Sequence, residues 1–171
     1  MQTRTTWLIG TSLLIALFVM VFTTYGGGWG GVRATGGSLT VSGTGYGLGQ
    51  VDEAKIVAEL SGYIVCVNHG TNVAPGQNSF TTVVEKSQTV TVRNGRFDFN
   101  FYFSDAELGL PTDAVVAGCP NANWAVEYLH DQLNFTLQEV EDGVAVNRTA
   151  ASFSCSMNPP ALEGDYACSQ Q

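Results

Sequence analysis

QTVTVRNGRFDFNFYFS, residues 88–104, sets two alternating runs on either side of Asn94-Gly95. Asn-Gly is the preferred pair for a two-residue type I′ turn, because both turn positions need positive φ. Such a turn places Val92 opposite Phe97 and Val90 opposite Phe99. Val90, Val92, Phe97, Phe99, Phe101 and Phe103 then share one face, while Asp98, Asn100 and Tyr102 point the other way. Four phenylalanines on one side of one strand need a cover. A second sheet is the simplest one, since no amphipathic helix of useful length occurs in the chain.

The flanking segments read the same way. In SLTVSGTG, residues 38–45, Leu39 and Val41 alternate with Ser38, Thr40 and Ser42. In AKIVAELSGYIVCV, residues 54–67, Asp52 and Glu53 would suit the first turn of a helix, but Gly62 and the β-formers after it do not. A strand puts Ile56, Ala58, Leu60, Ile64 and Cys66 on one face. WAVEYLHDQLNFTLQEV, residues 124–140, places Leu133, Phe135 and Leu137 together. Asp142-Gly143 turns the chain into VAVNRTAASFSCS, whose register stays open because a plain two-residue hairpin would set Arg148 opposite Leu137. The expectation is an all-β protein, an antiparallel, immunoglobulin-like sandwich of about six to eight strands.

At 171 residues, with 44% hydrophobic and 11% aromatic side chains, the chain suffices for one domain with a real core. Only 13% of residues are charged, 7 Lys+Arg against 15 Asp+Glu, giving a net charge of -8. No basic cluster exists to neutralise phosphates or to lie on an anionic membrane, so nucleic acid is excluded as a partner. Contact with a membrane is expected only through the N-terminal segment. There MQTRTT precedes WLIGTSLLIALFVMVF, an uncharged run of 16 residues intermediate between a signal h-region and a spanning helix. Residues 1–24 are a signal peptide or an N-terminal anchor; the nearest small-residue cleavage site is VRA, ending at Ala34. With no Cys near the run, a lipoprotein anchor is excluded. Residues 25–37, dense in glycine, read as a flexible tether, and 38–171 as the sandwich domain.

Export makes cystine the default state of the four cysteines, Cys66, Cys119, Cys155 and Cys168. Three pairings exist, of which Cys66 with Cys119 and Cys155 with Cys168 is favoured, the second closing a short C-terminal loop. A structural Cys66 disposes of a Cys66/His69 nucleophile. Asn68, Gly70, Asn72, Pro75 and Gly76 are then turn formers. His69 and His130 are the only histidines, too few for a zinc site. Scattered oxygens of Asp105, Glu107 and Asp113 could hold calcium, although an ordinary acidic loop explains them. No G-x-S-x-G elbow is present, and Glu139, Glu141 and Asp98 read as solvated strand or turn acids rather than glycosidase carboxylates. No catalytic residue, cofactor or metal ligand is assigned. Asn134 and Asn147 open the sequons NFT and NRT and are candidate glycosylation sites.

CVNHGTNVAPGQN and CPNANW together resemble the paired signatures of small exported bacterial proteins of actinobacterial type, which carry a C-x-N-x-G-x-N-x-x-P-G loop and a later C-P-x-x-x-W segment. The resemblance spans about residues 55–140. It implies a β-sandwich with one cystine, joining Cys66 and Cys119, and implies no activity; Cys155 and Cys168 are additions of this chain. The expected function is a non-enzymatic, secreted or surface-anchored module that binds an extracellular ligand or envelope component or plays a structural part. It is expected as a monomer. The alternative is a filament subunit assembled by donor-strand pairing of GGSLTVSGTG, and a secreted hydrolase is the remaining one.

Overall fold

The computed structural model describes residues 28–46, 51–68, 70, 73–74 and 78–171; the N-terminal apolar run, His69, Asn72, Pro75 and Gly76 lie outside them. The described chain is all β, in nine strands: β1 (Gly28–Gly36), β2 (Leu39–Tyr46), β3 (Glu53–Val67), β4 (Ser79–Thr89), β5 (Phe97–Phe103), β6 (Ala125–Glu141), β7 (Val144–Ala161), β8 (Gly164–Asp165) and β9 (Ala167–Gln170). They form two antiparallel sheets, ordered β5-β2-β1-β8 and β4-β3-β6-β7-β9. Leu39 and Val41 of β2 and the four phenylalanines of β5 meet Ile56, Ala58 and Leu60 of β3 and Leu133, Phe135 and Leu137 of β6 in one core, all of them buried. These are the faces that the alternation predicts.

The Asn94-Gly95 turn forms with φ of 53° and 72°. The ladder expected on either side of it does not. Only Arg93 and Arg96 pair across it; β4 stays on β3, and β5 pairs with β2, Phe103 opposite Leu39 and Phe97 opposite Gly45. The tight turn therefore switches the chain from one sheet to the other. The reason lies in the core: Val90 is buried and Val92 packs against the same cluster as the phenylalanines, so face sharing is satisfied across two packed sheets as well as within one.

The glycine-rich tether is corrected over residues 28–36, which form β1 and so belong to the fold. Trp29 is buried, its indole Nε1–H donates to the Thr149 carbonyl at 2.7 Å, and its ring meets Phe97 and Phe99 edge-on. Burial of one large indole and of Ala34 outweighs the chain entropy of the glycines. In β2, the absence of a side chain at Gly45 lets the Phe97 ring lie over the backbone.

Two irregularities fix the registers of β6 and β7. Asp131 is an extra residue on β6, between the pairs Ser61–Gln132 and Gly62–His130. A Cβ at Gly62 would collide there with the Leu129 carbonyl oxygen. Past the Asp142-Gly143 turn, Glu139 pairs with Val146, but Leu137 pairs with Ala151. Residues 147–150 are taken up in a bulge, which is how Arg148 avoids the position opposite Leu137.

Candidate functional site

Cys66 is bonded to Cys119 with Sγ–Sγ 2.06 Å and Cα–Cα 5.6 Å, and Cys155 to Cys168; no free cysteine remains. The first bridge pins the β5–β6 loop to the end of β3, inside a small cluster of Ile64, Ala74, Ala114 and Ala117. The second staples β9 to β7, directly opposite each other in the ladder. Neither joins one sheet to the other.

A cleft of about 350 Å³ opens beside the first bridge, between the β1–β2 turn, the β5–β6 loop and the β7–β8 corner. Asp105, Glu127 and Glu163 line it with Tyr128, His130 and Leu162. The Tyr128 hydroxyl donates to the Pro111 carbonyl, and burial raises its pKa. His130 is only 2% exposed. Its Nε2 accepts the Gly37 backbone N–H at 3.4 Å, which assigns the ring proton to Nδ1, 3.1 Å from the Tyr166 hydroxyl. Burial, the largest influence on each, pushes the His130 pKa down and that of Tyr166 up. A histidine beside three carboxylates in a cleft is what a hydrolase would need. Both nitrogens of this one are engaged with the protein itself.

Two of the three carboxylates proposed for calcium, Glu107 and Asp113, are occupied locally. Glu107 accepts from the Ser104 N–H and hydroxyl and pairs with Lys86 at 2.7 Å, and these bonds lower its pKa to about 2. Asp113 Oδ1 accepts the N–H groups of Val115 and Val116, capping a turn. Asp105 lines the cleft. Among the described residues no group of three or more His, Cys, Asp or Glu could hold a metal ion. Glu139 departs from its reading as a solvated acid: it is 1% exposed, on the inward face with Leu137. Asp98 is exposed and accepts from the Thr44 hydroxyl.

Asn134 sits on the outer face of the five-stranded sheet, exposed, in a shallow trough of about 320 Å³ with Val57, Glu59, Val83, Thr136 and Ser152. The side chain of Asn147 lies outside the described residues. Tyr166, the partner of His130, escaped notice in the sequence. Its only signal is a lone aromatic between Gly164 and Cys168, which says nothing about a histidine 36 positions earlier. No protein-family model matches the chain, and no curated protein matches it either.

Proposed function

We propose that this chain is an exported or cell-surface sandwich module, immunoglobulin-like in the broad architectural sense, with a binding or structural role rather than a catalytic one. The observation that carries the reading is that two bridges, Cys66–Cys119 and Cys155–Cys168, use all four cysteines. Such bonds persist in oxidising compartments, which agrees with a signal or anchor in residues 1–24. The burial of Trp29 supports a retained anchor or a cut before Gly28, because cleavage after Ala34 would remove most of β1. Kinship with the exported actinobacterial-type proteins belongs to the same reading, and the Cys66–Cys119 bond is the one that their two signatures imply.

The placement of β2 between β1 and β5 of its own chain supports a solitary domain over a donor-strand filament. The engagement of both His130 nitrogens favours binding over hydrolysis at the cleft, where an extracellular ligand or envelope component would sit. Asn134, exposed in its trough, is open to a glycan.

Fractionation of cells expressing the full chain, with thiols trapped by alkylation before lysis, tests the export reading. The expected result is protein in the envelope or medium with no alkylated cysteine. Cytoplasmic protein with reactive thiols would overturn it. A glycan and peptide array probed with the exported protein then looks for the ligand, and turnover of any array compound would refute the non-catalytic role.

A further inference from the structure

His130 stands where both sheets and the C-terminal segment meet. It lies on β6 next to the Asp131 bulge, opposite Ala161 of β7 and Gly62 of β3. Through Nε2 it holds Gly37, in the turn between β1 and β2, and through Nδ1 it holds Tyr166, between β8 and β9. The last residues form a strap over this junction: Gly164–Asp165 adds to β1, the Tyr166 N–H donates to the Ala34 carbonyl, and Ala167–Gln170 adds to β7. Beyond these backbone bonds and the Cys155–Cys168 bridge, the His130 imidazole ties the strap and the β1–β2 turn to the five-stranded sheet.

We propose that His130 is an acid-sensitive latch: protonation on Nε2 releases the Gly37 turn and loosens the strap around Tyr166, opening the neighbouring cleft. Only the neutral Nδ1–H tautomer makes both bonds. A proton added to Nε2 faces the Gly37 N–H, so two donors oppose each other and the bond is lost. The imidazolium has alternative partners close by, because Asp105, Glu127 and Glu163 line the same cleft. Asp131 adjoins it on its own strand, Tyr166 faces it from the strap with Asp165 next in sequence on β8, and Tyr128 is the remaining titratable group of the cleft wall. The charged ring trades its bonds to Gly37 and Tyr166 for these carboxylates, and so exchanges a closed arrangement for an open one. The Cys155–Cys168 bond holds β9 in place in either state, which confines the motion to the chain between Met157 and Tyr166 and to the Gly37 turn.

Amide exchange followed by NMR on the full chain, from pH 7.5 to 5 and corrected for the intrinsic pH dependence, tests the latch. Uptake of one proton on opening multiplies the open population by up to about tenfold per pH unit. The amides of Gly37 and Tyr166 are expected to lose protection by that factor, while that of Leu133 in the core is unchanged. His130→Gln, which keeps an acceptor for Gly37 but does not titrate, is expected to remove the dependence. The imidazole titration of the wild-type protein, assigned with the aid of His69→Gln, gives a readout that stands even where His130→Gln does not fold. A His130 ring that stays neutral to pH 4 overturns the latch. So does a ring that titrates while Gly37 and Tyr166 keep their protection.

Discussion

The side-chain carbonyl of Gln88, on β4, accepts the backbone N–H of Asn100, on β5, at 3.0 Å. The two strands belong to different sheets, so a side chain makes the bond that a neighbouring strand would otherwise make. Two residues earlier on β4, the Lys86 ammonium donates to the Tyr102 carbonyl at 2.6 Å, again on the free side of β5. Lys86 also pairs with Glu107 and lies over the Phe103 ring. An edge strand presents unpaired donors and acceptors that can recruit another chain. Gln88 and Lys86 occupy two of these groups and close the corner where the sheets part after the Asn94-Gly95 turn.

Replacing Gln88 with Ala is expected to destabilise the domain by about 1 kcal/mol, the net value of one such bond. Removing Lys86 as well uncovers the β5 edge. The double variant should associate with rising concentration in sedimentation velocity, while the wild-type protein stays monomeric. A double variant that remains monomeric throughout would show that the edge is protected in some other way.

Trp29 distinguishes a strand from a tether. Trp29→Ala removes an indole packed on Phe97 and Phe99 together with its bond to Thr149, and should cost about 3–5 kcal/mol in urea denaturation. A loss below about 0.5 kcal/mol, the level of a solvent-exposed site, would return residues 28–36 to the tether.

The two cystines should differ in weight. Cys66 and Cys119 are separated by 53 positions and Cys155 and Cys168 by 13. Chain entropy assigns about 4 kcal/mol to the longer loop and about 3 kcal/mol to the shorter one. Paired Cys→Ser variants, measured in the same denaturant series, are expected to fall in that order. The reverse order would place the dominant contribution of Cys155–Cys168 in native-state packing.

Glu107 predicts a separate acid window. Its hydrogen bonds with Lys86 and Ser104 hold its pKa at about 2 rather than the ordinary 4.5. The unfolded chain binds the proton first as pH falls, so the stabilisation is complete above 4.5 and is lost between 4.5 and 2. Melting curves of wild type and Glu107→Gln should differ at pH 6 and converge toward pH 2. A difference that persists at pH 2 would trace the effect to packing instead.

Alternation alone determined that this chain is all β, which faces of residues 38–45, 54–67, 97–103 and 133–137 are apolar, and that Asn94-Gly95 and Asp142-Gly143 are tight turns. Period-two patterns and positive-φ turn chemistry are local, and a local signal survives without knowledge of the rest of the chain. The expectation of export and an even cysteine count likewise pointed to the two bridges. Only the tertiary structure decided that β4 and β5 part into different sheets, since inward-facing side chains look the same whether they cover a neighbour in their own sheet or in the opposite one. It also decided that residues 28–36 form a strand, because the partners of Trp29 lie on β5 and β7, and that His130 is enclosed between Gly37 and Tyr166, 93 and 36 positions away. Contacts at such separations depend on how the sheets stack, and no short window of sequence encodes that.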